Sequence, residues 1–290
     1  MGVVQTSIRI PSIVQSVESN YLTQNLIEGE IGLGVRPKLD TVCLESMNLS
    51  IGFGDKSVLN DITLKFPNGT ITALVGPTGC GKSTFLRTLN RMNDQVRGFW
   101  HKGSVKLDGV ETYSKAIDPL ILRRRVGMVF QRPNPFPMSI SDNVTAGVKA
   151  HKMAKRRELK EIAEGYLKEV GLYEAVKDRF NDSPFRLSGG QQQLLCLARA
   201  LAVKPEVLLL DEPTASLDPI STKSVEDLLA KLAPELTIVI VTHNLAQARR
   251  IADKAAFFCD GMLVENGDAA QVLEDPTHET TAQFVTGRLG

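Results

Sequence analysis

The 290-residue sequence predicts an α/β domain: β structure first, then short strands of the kind buried in a parallel sheet alternating with helices, interrupted by a mostly helical insertion. Three features carry the prediction. Ile71-Thr-Ala-Leu-Val75 is a short apolar run of the kind buried on both faces, and Gly76-Pro-Thr-Gly-Cys-Gly-Lys-Ser-Thr84 follows at once. Val207-Leu-Leu-Leu-Asp-Glu212 is a second such run and ends in paired acids. Between the two, the texture turns proline-rich at Arg132-Pro-Asn-Pro-Phe-Pro137, which regular helix and central strand both exclude, and then becomes helical.

In chain order, residues 1–38 show no clear period and are expected to form a flexible or loosely docked extension. Residues 42–51 read as a strand, 52–56 as a turn, 57–66 as a second strand, and Pro67-Asn-Gly69 as a tight turn. Lys82–Arg91 has helical character, and 120–125 leads into a strand at Val126–Phe130. Residues 141–172 are mostly helical, and Ser188 opens a helix running through Leu201. A strand at 207–212, a helix at about 220–232 and a strand at 236–241 then alternate. The helical insertion spans about 132–204 within a domain of 39–290, and no internal repeat is present.

Composition narrows the function class. The chain is 42% hydrophobic and 23% charged, with a formal net charge of +1. No global field points to nucleic acid or an anionic surface. The four cysteines, Cys43, Cys80, Cys196 and Cys259, have neither metal-ligand nor disulfide-framework spacing, which fits a reducing cytoplasm. The apolar runs are strand-length, far below the ~20 residues that span a bilayer. Met1–Thr6 meets the loose myristoylation pattern, whose few fixed positions make it a weak signal. The basic run His151–Arg157 is followed by Glu158, Glu161 and Glu164 and reads as a solvated helical face.

Gly76, Gly81, Lys82 and Ser83 satisfy Gly-x-x-x-x-Gly-Lys-Ser, and Pro77, Thr78, Gly79, Cys80 and Thr84 complete the loop. Backbone N–H groups in such a loop close around phosphate oxygens, and the helix that follows adds its positive end. Lys82 would neutralise β- and γ-phosphate charge, and Ser83 would coordinate Mg²⁺. Asp211 is suited to hold Mg²⁺ through water, and Glu212 to orient or polarise an attacking water. Gln131 and His243, each at a strand end, mean little from spacing alone.

The order of the phosphate loop, Gln131, Leu187-Ser-Gly-Gly-Gln191, Leu208-Leu-Leu-Asp-Glu-Pro213, Ser216-Leu-Asp218 and Val241-Thr-His243 resembles the nucleotide-binding subunits of ATP-binding-cassette transporters, over essentially residues 40–290. The resemblance implies a P-loop NTPase fold with a RecA-like core, an antiparallel β subdomain and a helical insertion. It implies ATP and Mg²⁺ as ligands. It gives Gln131 the sensing of γ-phosphate and Mg²⁺, and His243 the γ-phosphate and the water. It gives Ser188, Gly189, Gly190 and Gln191 the ATP held by a second copy, Asp218 the loop communicating across that dimer, and Phe53 the adenine.

Four segments resemble the phosphate-importing subfamily: Leu89–Asp94; Arg123–Gly127 running into Met128–Ile140; Ser188–Gln193; and Phe284–Gly290. Leu194 departs from it, standing where arginine is usual. This resemblance implies a phosphate-transporting ATPase on the cytoplasmic face of the cell membrane. Its partners would be two transmembrane permease subunits and, indirectly, an extracytoplasmic phosphate-binding protein, with no nucleic acid. Import of another solute, such as an amino acid, is the alternative.

Overall fold

A computed structural model describes residues 42–289; the expected extension and the Met1–Thr6 pattern lie outside the described residues. The elements are β1 (Val42–Phe53), β2 (Lys56–Pro67), β3 (Ile71–Val75), α1 (Lys82–Leu89), β4 (Phe99–Leu107), β5 (Val110–Glu111), α2 (Pro119–Arg125) and β6 (Val126–Val129). The chain continues with α3 (Ile140–Ala150), α4 (Leu159–Glu169), α5 (Tyr173–Val176), α6 (Gly189–Ala202), β7 (Val207–Asp211), α7 (Pro219–Leu232) and β8 (Thr237–Val241). It closes with α8 (Leu245–Ile251), β9 (Lys254–Cys259), β10 (Met262–Asp268), α9 (Ala269–Glu274) and α10 (Glu279–Val285).

The described strands form two sheets. One is four-stranded and antiparallel, in the order β2-β1-β4-β5. The other is six-stranded, in the order β10-β9-β3-β8-β7-β6, parallel except at its β9–β10 edge. The short apolar runs make its centre. Every residue of β3, β7 and β8 is buried. Successive side chains point to opposite faces, so Leu208 and Leu210 join one core while Val207 and Leu209 join the other. The second core lies between the two sheets and encloses Phe85, Leu86 and Leu89 of α1. The first lies on the far face, under Val144, Leu167, Leu197 and Leu229 of the helices.

Boundaries moved where local chemistry won. β1 continues through Gly52 and Phe53, so the first turn is only Gly54-Asp55. Helix α1 ends at Leu89, because Arg91 takes left-handed φ 61. The basic run His151–Arg157 is a turn between α3 and α4, not a helical face. Helix α3 stops at Ala150, and Lys152 takes left-handed φ 53. Leu194 is half-buried and packs on the core beneath α6.

Glu265 docks the C-terminal helices onto β10. Its carboxylate accepts from Gln271 Nε2 at 2.7 Å, Thr277 N at 2.8 Å and Thr277 Oγ1 at 2.9 Å. Burial pushes this carboxyl up, but the donors around it, Thr281 first and then Thr277 and Gln271, outweigh it and hold the pKa at about 2. A carboxyl depressed on folding stabilises above its unfolded pKa of roughly 4.3 and loses that contribution as pH falls toward the folded value. Glu265→Gln is therefore expected to lower stability near pH 7 by about 1–3 kcal/mol and to flatten the acid limb between roughly pH 5 and 2. Chemical denaturation of both proteins across that range checks it, and parallel acid limbs would contradict it.

Candidate active site

The phosphate loop is shaped by two glycines. Gly76 has φ 142, and a Cβ there would lie 1.9 Å from the carbonyl oxygen of Phe258 on β9. Gly81 has φ 104, and a Cβ there would meet Leu59 Cδ2 at 2.6 Å. At these two positions the loop rests against the two sheets with no room for a larger residue. Lys82 is buried, and its Nζ donates to the carbonyls of Gly76 and Pro77, each at 2.7 Å. That centres the ammonium within the loop.

Asp211 is 1% exposed at the end of β7. Its Oδ1 accepts from Ser83 Oγ at 2.7 Å, and its Oδ2 pairs with Arg87 Nη2 at 3.1 Å. Arg87 was missed by sequence reasoning. The signal was there: it stands four residues after Ser83 on α1 and so shares its face. Its guanidinium also lies 5.9 Å from the ring centre of Phe130, the residue before Gln131.

Glu212 leaves the strand in left-handed conformation, with φ 46. A non-glycine residue there carries about 1–3 kcal/mol of strain, maintained by its surroundings. Its N–H donates to Val241 O at 3.0 Å. Its Oε2 accepts from Gln131 Nε2 at 2.8 Å and lies 3.2 Å from His243 Nδ1. Three strand ends, β6, β7 and β8, therefore converge on one carboxylate oxygen. The residues expected at this centre, Lys82, Ser83, Gln131, Asp211, Glu212 and His243, are brought together.

Ser188 to Gln191 stand apart from it. Ser188 is the N-cap of α6: its Oγ accepts from Gln191 N–H at 3.2 Å, and Gln191 Oε1 accepts from Ser188 N–H at 3.1 Å. Ser188 and Gly189 are exposed. A Cβ on Gly190 would lie 3.0 Å from Leu217 Cδ2, beside the Asp218 loop. Among the described residues, no hydrogen bond or ion pair joins Ser188–Gln191 to Gly76–Thr84 of the same chain. Asp218 caps α7, and hydrogen bonds from Ser221 hold its carboxyl below the usual range. Phe53 is half-buried, its ring 5.8 Å from that of Phe99.

The segment after Gln131 is anchored by side chains the sequence did not single out. Buried Asn143 Nδ2 donates to the carbonyls of Phe136, Met138 and Ser139, and its Oδ1 accepts from Phe136 N–H at 2.7 Å. Arg199 of α6 donates to Asn134 and covers the Phe136 ring, 4.2 Å from its centre. Gln193 Nε2 donates to Phe130 O at 2.9 Å. Helix α6 is thus wired to the strand end that carries Gln131.

Comparison with known proteins agrees with this arrangement. The family model described as ABC transporter matches residues 59–215. The chain is 58% identical over 247 residues to Phosphate import ATP-binding protein PstB 2 of Mycobacterium tuberculosis (strain ATCC 25618 / H37Rv), covering 85% of this chain and 89% of that protein. It is 59% identical over 241 residues to Phosphate import ATP-binding protein PstB of Mycobacterium intracellulare, covering 83% and 84%. Among solved structures, a bacterial Atm1-family ABC exporter with ATP bound superposes with a TM-score of 0.72 at 23% identity, over 96% of this chain and 48% of that one. At that identity the exporter speaks to fold alone, and this chain spans about half its length. By sequence and by architecture, the chain belongs to the ABC transporter family.

Proposed function

We propose that this chain is the ATP-hydrolysing subunit of an ABC importer that takes up inorganic phosphate. The hydrolytic reading is carried by one observation: the Glu212 carboxylate is held between Gln131 and His243, one residue from the buried acid that bonds Ser83. Phosphate as the solute is supported by the names of the mycobacterial relatives.

In this reading, Gly76–Thr84 wraps the phosphates and Phe53 stacks on adenine. Lys82 moves little, because its ammonium already sits inside the loop. The residues fit Mg²⁺. Ser83 Oγ and Asp211 Oδ1 are adjacent oxygens, and no group of three His, Cys, Asp or Glu forms a closed cage among the described residues. Magnesium ordinarily takes a few protein oxygens and completes its octahedron with phosphate and water. Ser83, Asp211 and Gln131 would hold it, and the ion would neutralise charge on the transferring phosphoryl group. Glu212 accepts a hydrogen bond from the attacking water, while Gln131 and His243 fix the direction of that carboxylate.

The remaining machinery is intermolecular. Ser188, Gly189, Gly190 and Gln191 of one copy face ATP bound to the other, with Asp218 between them. Two chains sandwich two ATP molecules and drive two permease subunits from the cytoplasmic face of the membrane, while an extracytoplasmic binding protein supplies phosphate. Residues 132–204 act as the helical subdomain that receives the permease. Exposed Phe136, Met138 and Phe185 support that assignment. No helix among the described residues is long and apolar enough to cross a membrane.

The test is co-purification with the permease subunits, followed by ATPase assay in vesicles loaded with the binding protein. Inorganic phosphate is expected to stimulate turnover several-fold. Stimulation by an amino acid and not by phosphate would overturn the solute.

A further inference from the structure

A buried polar network lies behind the Glu212–His243 pair, and its hub is Gln247. This residue of α8 is 1% exposed. Its Oε1 accepts from Thr242 Oγ1 at 2.9 Å, and its Nε2 donates to Thr214 Oγ1 at 2.9 Å and to Glu226 Oε1 at 3.2 Å. Thr242 immediately precedes His243, and Thr214 stands two residues after Glu212. Glu226 belongs to α7, the helix capped by Asp218.

The orientation of the amide is forced. Glu226 is 2% exposed and accepts from Arg250 Nε at 3.0 Å and Nη2 at 2.6 Å. Burial pushes its carboxyl up, but the bonds from Arg250 and Gln247 outweigh it and hold it below the usual range. An ionised carboxylate only accepts, so the NH₂ end of Gln247 must face it. The amide oxygen is then left for the Thr242 hydroxyl, which in turn accepts from Asn244 N–H at 3.0 Å. Each group has one role, and the network has one arrangement. Glu212, Thr214, Glu226, Thr242 and His243 all line one cleft of about 530 Å³.

We infer that Gln247 is a positioning residue for hydrolysis: by bonding the loop after Glu212 and the loop before His243 to one side chain, it sets the separation of those two groups. The inference rests on the roles proposed above for Glu212 and His243. Removing the amide leaves Thr242, Thr214 and Glu226 each short of a buried partner, so Gln247→Leu is also expected to lower the melting temperature, and that loss is read separately from kcat. What leucine cannot do is hold two loops in register, and a displacement of about 1 Å at reacting groups costs up to roughly 10²-fold in rate.

The test uses the full-length chain and reads kcat and KM for ATP, binding of a fluorescent ATP analogue, and melting temperature. Gln247→Leu is expected to lower kcat about 10- to 100-fold, with KM and analogue affinity within about twofold of the parent. Gln247→Glu sets two carboxylates against each other and is expected to lose kcat similarly. Adding Glu226→Gln restores one donor between those positions and is expected to recover much of the rate. Thr214→Val cuts only the arm to the Glu212 loop and is read by the same criteria where Gln247→Leu does not fold. Parental kcat in the folded variants, or a loss of nucleotide affinity matching the loss of kcat, would overturn the inference. Glu212→Gln is assayed alongside. If it turns over normally, the reading of the site fails. If it is inactive while Gln247→Leu is parental, only the role of Gln247 fails.

Discussion

Glu212→Gln is expected to bind ATP like the parent chain and to hydrolyse it about 10²- to 10⁴-fold more slowly, the range that a positioned base contributes. The substitution is nearly isosteric, so the left-handed backbone at φ 46 and the bond from Glu212 N–H to Val241 O are unaffected. What changes is the oxygen that accepts from Gln131 Nε2 and faces His243 Nδ1. An amide still accepts one hydrogen bond but is a far weaker base, so water loses its polarising partner. The phosphate loop, Lys82 and Asp211 are untouched, so nucleotide affinity should stay. With ATP bound and not cleaved, two chains are expected to remain closed as a dimer. Equilibrium nucleotide binding, single-turnover hydrolysis and size-exclusion chromatography with ATP check the three parts. Parental hydrolysis would remove Glu212 from its assigned role.

Lys82→Ala is expected to act on the opposite parameter. The ammonium is the positive charge at the centre of the loop and is bonded to two of its carbonyls at 2.7 Å. Removing it takes away charge-assisted hydrogen bonds worth about 1.5–3 kcal/mol each and frees the loop from its internal strut. ATP affinity is expected to fall by at least about 10²-fold, near 2.7 kcal/mol, with the fold intact. Titration of a fluorescent ATP analogue into the full-length variant measures it. An affinity within about threefold of the parent would show that backbone N–H groups alone hold the phosphates.

The core of this fold was legible because its central strands are buried on both faces, leaving contiguous apolar runs at β3, β7 and β8. The phosphate loop was legible because its glycines answer a backbone need that no other residue meets. Other parts left weaker marks. β4 buries only Val105 and Leu107 of its nine residues, so its pattern does not alternate cleanly. β9 and β10 went unassigned, although β9 fixes the place of Gly76. The Glu226–Gln247–Arg250 network joins residues 21 to 24 positions apart through their side chains, and no local period records that. The basic run at 151–157 had the composition of a solvated helix, but it is a turn.

The placement of β3 has a consequence for how the molecule is made. Its two sheet neighbours are β8 and β9, and Ile71 N–H donates to Asp253 Oδ2 across 182 residues of sequence. The phosphate loop is synthesised well before the chain that shapes it. A nascent chain ending before residue 254 exposes an apolar strand with at least one open edge and lacks the Phe258 carbonyl against which Gly76 packs. Such high contact order makes folding slow and leaves that edge available for aggregation until β8 and β9 have been synthesised. The loop at Gly76 thus takes its final shape only after β9 has been synthesised.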